Sequence, residues 1–337
     1  MSLVWTESFV GWTSIPNGLY TGGGCTPNVG YGPNGQNCMT GSQDSLQKLI
    51  TSSPATIGVG VRFRQQMVDT NQGMFLLLND AGVGTQLYLW HIYATENIQV
   101  RRGDNTVLGT SAPGTCLHAV WYYLTIDATI HPTAGSVLVT LDGVTILNLT
   151  GVNTRNTATS RVNEVNLTSG NNSGFQFCDW YITDNVVSGA EPVATIGDVR
   201  IIALRPSGAG SNAAFTPSAG ANWQNVDDAP GPDGDATYNA SSNPTDADSF
   251  VTPGVGTTVV ANAIPAVFLK TYARKDDAGV RSLTRIVKLG ANVATGVTAP
   301  LSAGYDWQAD KFALDPAGNP WTKANVNAAE FGYDLIA

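Results

Sequence analysis

Apolar and polar residues alternate with a period of two along most of this chain, which is the pattern of half-buried β-strands. No long segment repeats its apolar residues with the 3.6-residue period of an amphipathic helix. We therefore predict an all-β protein. In the first half, the predicted strands are Thr56–Arg64, Met74–Asn79, Thr85–Ile92, Asn97–Arg102, His118–Ile126, Ser136–Leu141, Val144–Leu149, Arg161–Leu167 and Phe175–Ile182.

Turn-forming residues separate these strands. Asp142-Gly143 lies between two apolar runs and predicts a hairpin with a type I′ turn. Arg102-Gly103-Asp104 is an RGD tripeptide of the kind that integrins bind, but a hairpin turn at this place explains the same residues, and we predict the turn. Residues 21–41 are rich in Gly, Asn and Pro, and predict a long ordered loop or an insertion.

The second half follows a short polar segment at 187–197, and residues 207–256 offer few strand candidates. One helix is predicted at Trp321–Phe331, with Thr322 as its N-cap and Gly332 as its stop. Because 337 residues exceed one ordinary core, we predict two β-sandwich domains in tandem, at 1–190 and 197–337. The second-half strands are predicted at Asp198–Leu204, Val259–Val260, Ala266–Lys270 with Tyr272, Arg281–Lys288 and Trp307–Ala313.

The charged segment 270–285 runs from the end of one of these predicted strands into the next. Its Asp277-Ala278-Gly279 predicts the tip of a solvated hairpin, and a contact with a neighbouring acidic subunit is the functional alternative.

Charge and hydropathy limit the kinds of partner that this protein is expected to bind. The net charge of -9 argues against a general nucleic-acid binder, which needs a basic face. No apolar run approaches the roughly 18 residues of a membrane span, and the N-terminus MSLVWTESFVGW lacks the regions of a secretory signal. We therefore expect neither nucleic acid nor a membrane span.

The four cysteines form no CxxC pair, and the three histidines complete no zinc-finger spacing. Cys116 and Cys178 lie in or beside apolar strand segments and are predicted to be buried free thiols. Cys25 and Cys38 bracket the Gly-rich loop and could close it as a disulfide; free thiols are the alternative, because the bond needs an oxidising setting.

Two resemblances to known families emerge from these motifs. Residues 118–183, with GSVLVTLDGVTIL, RVNEVNL and FQFCDWYITD, resemble the C-terminal half of a concanavalin A-like (LamG-like) jelly roll, whose closing strand carries the pair Asp179-Trp180. Residues 197–332 resemble a domain of structural proteins from tailed bacteriophages, through GDVRIIALRPSG, a stretch with Trp223, Asp233–Tyr238, KTYARKDDAG, GYDWQADKF and PWTKANVNAAEFG.

The phage resemblance implies a non-enzymatic subunit on the virion exterior, such as a head decoration, collar or tail fibre-like component. It would contact other virion proteins, form a homo-oligomer such as a trimer, and assemble in the host cytoplasm. The alternative function is a glycan-binding adhesin that contacts the host cell surface.

The acidic and nucleophilic residues complete no catalytic constellation. Retaining glucanases on a jelly roll need two carboxylates about 5–5.5 Å apart. Each glutamate in this chain is isolated from other acids on the same local strand face; the glutamates are Glu7, Glu96, Glu164, Glu191 and Glu330. The chain also lacks the Gly-x-Ser-x-Gly elbow of a serine nucleophile. We therefore predict that the protein is not an enzyme.

Two kinds of ligand remain as candidates. Aspartates in a Gly-containing loop region provide hard oxygen ligands that could hold calcium; they are Asp227, Asp228, Asp233, Asp235, Asp246 and Asp248. Such clusters also form ordinary solvated turns. No cofactor is predicted as required. Aromatic side chains near the loop end could bind glycans, whereas the strand residues Trp90, Trp121 and Trp180 are expected in the core; the candidate glycan contacts are Trp5, Trp12, Tyr20 and Tyr31.

Overall fold

The computed structural model describes residues 2–9, 26–28, 32–33, 38–40, 45–65, 73–168, 174–184, 196–229, 231–257, 259 and 263–336. The described residues divide into two compact units, one ending at Ile201 and one beginning at Ile202. The second unit thus begins five residues after the predicted start at 197, because residues 198–201 belong to the first unit. The Asp198 carboxylate lies 2.6 Å from Arg62 Nη2, and the backbone N–H of Ile201 donates to Asp179. Among the residues described, no helix has the length and hydropathy needed to cross a membrane.

The first unit consists of antiparallel strands in two sheets. One sheet has the order β12-β11-β10-β5-β14-β3-β2, with β1 also paired to β14, and the other has the order β4-β13-β6-β7-β8-β9. The strands are β1 (Ser2–Glu7), β2 (Thr26–Asn28), β3 (Cys38–Thr40), β4 (Ser45–Leu49), β5 (Thr56–Gln65), β6 (Gly73–Asp80), β7 (Gly84–Ile92), β8 (Asn97–Arg102), β9 (Val107–Thr110), β10 (Tyr122–Thr129), β11 (Gly135–Leu141), β12 (Val144–Val152), β13 (Glu164–Thr168) and β14 (Phe175–Asp184).

Buried aromatic rings join the two sheets of this unit. Phe63 of β5 stacks on Phe75 of β6 in the other sheet, with ring centroids 4.9 Å apart, and Phe175 of β14 lies 5.0 Å from Phe75. Each of these side chains is fully buried, which stabilises the fold by about 1.5–3 kcal/mol per ring. The unit is therefore a β-sandwich of the jelly-roll type, and the prediction of this fold class is confirmed.

Local turn chemistry in this unit follows the sequence. Asp142 and Gly143 have φ values of 46° and 78°, so the β11–β12 turn is the predicted type I′ turn. The RGD tripeptide lies in the predicted hairpin between β8 and β9, where Arg102 Nη2 lies 2.6 Å from Asp104 Oδ2 of the same tripeptide. The Arg102 side chain is therefore bound within its own turn.

The three cysteines of this unit that the structure describes are buried. Cys116 and Cys178 are free thiols, as predicted. Cys38 is also buried, and burial raises the pKa of its thiol to about 11. Cys25 lies outside the described residues, so its pairing with Cys38 stays a prediction.

Three expectations for this part of the chain were wrong. The strand expected from His118 begins only at Tyr122, because Ala119 has a φ of 60° that no strand tolerates. Residues 21–41, expected as a loop, include β2 and β3. Residues 198–204 contain no strand, because this segment binds Arg62 and Asp179 rather than a strand partner.

The second unit contains a six-stranded sheet with the order β15-β18-β24-β20-β21, in which β22 also pairs with β20, and the two-stranded sheets β16-β17 and β19-β23. Its elements are β15 (Gly208–Ala213), β16 (Thr216–Pro217), β17 (Asn239–Ala240), β18 (Ala247–Val251), β19 (Val267–Ala273), β20 (Ser282–Leu289), β21 (Asn292–Thr295), β22 (Ala299–Pro300), β23 (Asp306–Phe312), α1 (Lys323–Ala328) and β24 (Glu330–Ile336).

The core of the second unit lies between the six-stranded sheet, the β19-β23 sheet and α1. Trp321 is 3% exposed, and its indole N–H donates to the Phe312 carbonyl at 2.8 Å. Thr322 caps α1 as predicted, because its hydroxyl accepts from the Asn325 N–H at 3.1 Å. The buried side chains of this core are Val255, Val287, Phe312, Trp321, Val326, Ala329 and Phe331.

Other predictions for the second unit were wrong. The helix ends at Ala328, and Gly332 belongs to β24, where a Cβ would lie 1.9 Å from the Asp248 carbonyl oxygen. Gly332 therefore permits the close approach of β24 to β18 and does not stop the helix. Val259 lies outside the strands, and Val260 lies outside the described residues.

The predicted charged hairpin is also absent. β19 pairs with β23, whereas β20 pairs with β24, β21 and β22, so the two strands that flank Asp277-Ala278-Gly279 do not pair with each other. The strands β15 and β18 lie in the region where few strands were expected.

Candidate functional site

The β19-β23 sheet has one face in the core and one face directed away from it. Val267 and Leu269 pack against the core cluster, and Phe312 is part of it. Because side chains alternate along a strand, Tyr272 and its cross-strand partner Trp307 belong to the opposite face. Tyr272 is 37% exposed, so this face presents an aromatic surface to the surroundings.

Three rings form an aromatic cluster on this face: Tyr272, Tyr305 and Trp307. Tyr272 stacks on Tyr305 with ring centroids 4.9 Å apart and planes 13° apart. Its centroid also lies 5.1 Å from the Trp307 ring, with an interplanar angle of 40°. Such pairs contribute about 0.5–1.5 kcal/mol each beyond the area that they bury, so the rings fix one another in place.

A polar pair, Arg274 and Asp235, adjoins the aromatic cluster. Arg274 Nη2 lies 3.0 Å from Asp235 Oδ1, and the guanidinium carbon lies 5.2 Å from the Tyr305 ring centroid. The Tyr305 hydroxyl donates to the same Asp235 oxygen at 2.8 Å. Together, the aromatic cluster and the polar pair form the aromatic site.

The same contacts set the charge state of the site. The hydrogen bond from Tyr305 and, next, that from Arg274 lower the pKa of Asp235 below its ordinary value. Burial, and then the bond to Asp235, raise the pKa of Tyr305. At neutral pH the site therefore holds an ionised carboxylate, a guanidinium and a neutral phenol.

The loop that carries Asp235 is organised by its own carboxylates. Asp233 accepts hydrogen bonds from the Thr237 backbone N–H at 3.0 Å and from the Thr237 hydroxyl at 2.9 Å. Gly234 has a φ of 72°, a conformation that glycine adopts without strain. A side chain that such a loop holds in advance loses less entropy on binding a ligand.

The aspartates that suggested calcium do not come together as a ligand set. Asp248 is fully buried, where it accepts from the Phe215 N–H at 3.0 Å and from the Asn222 amide at 2.7 Å. In the part of the chain that the structure describes, no group of three or more His, Cys, Asp or Glu side chains could hold a metal ion.

The aromatic residues that the sequence suggested for glycan contact are elsewhere. Trp5 is 5% exposed, because β1 pairs with β14 and places Trp5 opposite Ile182, so its prediction as an exposed contact was wrong. Lys48 Nζ lies 3.7 Å from the Trp5 ring centroid. The other three suggested contacts lie outside the described residues: Trp12, Tyr20 and Tyr31.

The strand tryptophans of the first unit are not equally buried. Trp180 is fully buried, as expected for the core. Trp90 and Trp121 are half-buried, and arginine guanidinium groups lie 4.7 Å and 5.1 Å from their ring centroids, from Arg101 and Arg64 respectively. Each of these rings therefore has a cation packed against it.

The aromatic site itself was missed from the sequence. Its members come from three segments that the β19–β23 pairing and the Asp235 loop bring together. The available signal was the alternation in KTYAR and GYDWQ, where aromatic residues alternate with polar ones in a short strand.

No protein-family profile and no curated protein matches the chain. Among solved structures, the cellulose-induced protein Cip1 is 15% identical, with a TM-score of 0.41 over 55% of this chain and 100% of its own. A Trypanosoma rangeli sialidase complex is 12% identical, with a TM-score of 0.38 over 54% of this chain, which spans 30% of the sialidase. The Bacillus subtilis carbohydrate-binding module CBM66 is 10% identical, with a TM-score of 0.35 over 50% of this chain and 97% of the module. These likenesses are too distant to identify a site or a ligand.

Proposed function

We propose that this protein is a non-enzymatic carbohydrate-binding component of the exterior of a tailed-phage virion. The aromatic site of the second unit carries the carbohydrate part of the proposal. The virion part is supported by the resemblance of residues 197–332 to phage structural proteins.

The chemistry of the aromatic site suits a sugar ring. A pyranose has apolar C–H faces, whose partial positive charge is attracted to the negative face of an aromatic ring. Its neighbouring hydroxyls both donate and accept, and they match an exposed carboxylate beside a guanidinium. Asp235 and Arg274 have 65% and 33% of their side chains exposed, so a ligand can reach both.

The segments behind the phage resemblance also supply the aromatic site. Asp235 belongs to Asp233–Tyr238, Tyr272 and Arg274 to KTYARKDDAG, and the two remaining rings to GYDWQADKF. Sequence features that are far apart along the chain thus contribute to one surface, which supports a shared role in recognition. Other virion proteins and further copies of this chain remain the proposed protein partners.

The carbohydrate role is tested by screening the full chain against a glycan array and measuring each hit by calorimetry. Tyr272→Ala should weaken binding at least tenfold, because it removes the central ring of the aromatic cluster. Tyr238→Ala is the matched control, because Tyr238 is 43% exposed and lies outside the cluster. Equal effects of the two substitutions, or no binding to any glycan, would overturn the proposal.

The virion role is tested separately by mass spectrometry of purified particles from a host that produces the protein. A fixed copy number per particle is expected. Absence from particles would contradict the virion role and leave the carbohydrate role standing.

A further inference from the structure

We infer that the aromatic site selects neutral glycans over glycans that carry carboxylate or sulfate groups. This inference rests on the proposed carbohydrate role and names the class of ligand. It follows from the balance of charge at the site.

The cation that adjoins the aromatic cluster is already compensated. Arg274 is bound to Asp235 at 3.0 Å, so the pair presents no net charge to a ligand. An anionic group on a sugar that bound the other N–H groups of Arg274 would lie beside the Asp235 carboxylate. The anionic group and the Asp235 carboxylate would then repel each other, because both are negative and would share one guanidinium.

The loop beside the site adds further negative charge. Gly234 lies directly against the Tyr305 ring, since a Cβ on it would come within 4.0 Å of Tyr305 Cε2. The flanking carboxylates of Asp228 and Asp233 belong to the same loop, and the Asp233 N–H donates to Asp228 at 3.3 Å.

Two lysines share this strand face: Lys270, two residues before Tyr272, and Lys311, which pairs with Phe268. Their two positive charges are matched by the two loop carboxylates of Asp228 and Asp233, so the surface around the rings carries no excess of positive charge. The whole chain carries a net charge of -9, which also disfavours the approach of a polyanion.

Asp235 offers a specific partner to a neutral sugar. Both of its bonds, from Tyr305 and from Arg274, end on Oδ1. Oδ2 of this exposed side chain can accept a hydrogen bond from a sugar hydroxyl, and a neutral glycan forms this bond without bringing a second carboxylate close to Asp235. Hydrogen bonds to an ionised acceptor are about twice as strong as those between neutral groups.

The test uses matched hexasaccharides with the full chain: gluco-, manno- and galacto-hexaoses, and the hexauronates of the same stereochemistry, titrated by calorimetry at low salt. We expect at least one neutral hexamer to bind and its uronate counterpart to bind about tenfold more weakly. Raising the salt concentration should narrow this difference, because salt screens the repulsion. A uronate that binds as tightly as its neutral counterpart would overturn the inference, while the carbohydrate role would stand. No binding to any glycan, either in these series or on the array, would overturn both.

Two variants sharpen this result. Asp235→Asn keeps an acceptor for Tyr305 but leaves Arg274 uncompensated, so the preference for the neutral hexamer should fall about fivefold or more. Arg274→Gln leaves the carboxylate alone, so the preference should widen. Thermal melting confirms that each variant is folded. A preference that both variants leave unchanged would show that charge does not set selectivity and would contradict the inference.

Discussion

Replacement of Arg285 by methionine should strongly destabilise the second unit. Arg285 is 2% exposed, and its Nε donates to the Asp310 carboxylate. Its two other nitrogens donate at 2.7 Å each to the Gln308 side chain and to the Val297 carbonyl. Methionine retains much of the volume but leaves the Asp310 carboxylate, whose side chain is 10% exposed, without its cation.

The size of the effect follows from this burial. Removing one partner of a buried ion pair costs about 3–5 kcal/mol, because the other charge stays desolvated and unpaired. For a unit of this size, each kcal/mol lowers the melting temperature by roughly 3–5 °C, which gives a decrease of about 10–20 °C. Differential scanning calorimetry of the full chain, together with urea denaturation followed by fluorescence, measures both quantities.

Two further variants make the measurement decisive. Arg281→Met removes the exposed ion pair with Asp277, 2.9 Å long, and should cost less than about 1 kcal/mol. The double variant Arg285→Met/Asp310→Leu removes both buried charges and should recover about 2 kcal/mol or more of the single variant's loss. If Arg285→Met costs no more than Arg281→Met, or if the double variant recovers nothing, the reasoning is refuted.

Three other predictions follow. Gly332→Ala should destabilise the protein by about 1–3 kcal/mol in urea denaturation, because the added Cβ would overlap the neighbouring backbone. Gly304 has open space around it, so Gly304→Ala should change the free energy of unfolding by less than about 0.5 kcal/mol in the same assay. Because its hydrogen-bond partners lower the pKa of Asp235, glycan affinity should be constant from about pH 8 to pH 5 and fall only as the pH drops through that lowered pKa; a loss near pH 6 would contradict the assignment. Burial raises the pKa of the Cys38 thiol to about 11, so this thiol should not react with a disulfide reagent at neutral pH in the native protein. After denaturation, four reactive thiols would exclude the Cys25–Cys38 disulfide, whereas two would support it.

The elements that could be predicted from the sequence are those that local chemistry determines. The Asp142-Gly143 turn depends on two adjacent residues that tolerate a positive φ, and the strands that it joins follow from alternation alone. The Thr322 cap is equally local, because its hydroxyl bonds a backbone N–H three residues away. In each case, the deciding contacts lie within a few positions along the chain.

The elements that could not be predicted depend on distant partners. Gly332 has the sequence signature of a helix stop, yet its role is set by the carbonyl of Asp248 on a neighbouring strand. The burial of Trp5 is likewise set by the pairing of β1 with β14.

The candidate site has the same dependence. Tyr272 meets Trp307 only because β19 pairs with β23, and neither strand shows its partner in its own alternation. The composition of KTYARKDDAG instead predicted a hairpin with the next strand. Cross-strand pairing over this sequence separation is therefore the step that sequence reasoning missed.

The most direct test of the carbohydrate role is a ¹⁵N spectrum of the tryptophan indole N–H groups, recorded during titration with the neutral oligosaccharide that binds best, with Trp307 assigned through Trp307→Phe. We expect the Trp307 indole signal to shift until binding saturates, with the same affinity that calorimetry gives. The Trp321 signal should stay in place, because its N–H is bonded to the Phe312 carbonyl in the core. Saturable binding that leaves the Trp307 signal unmoved would contradict the central claim that this surface holds the glycan.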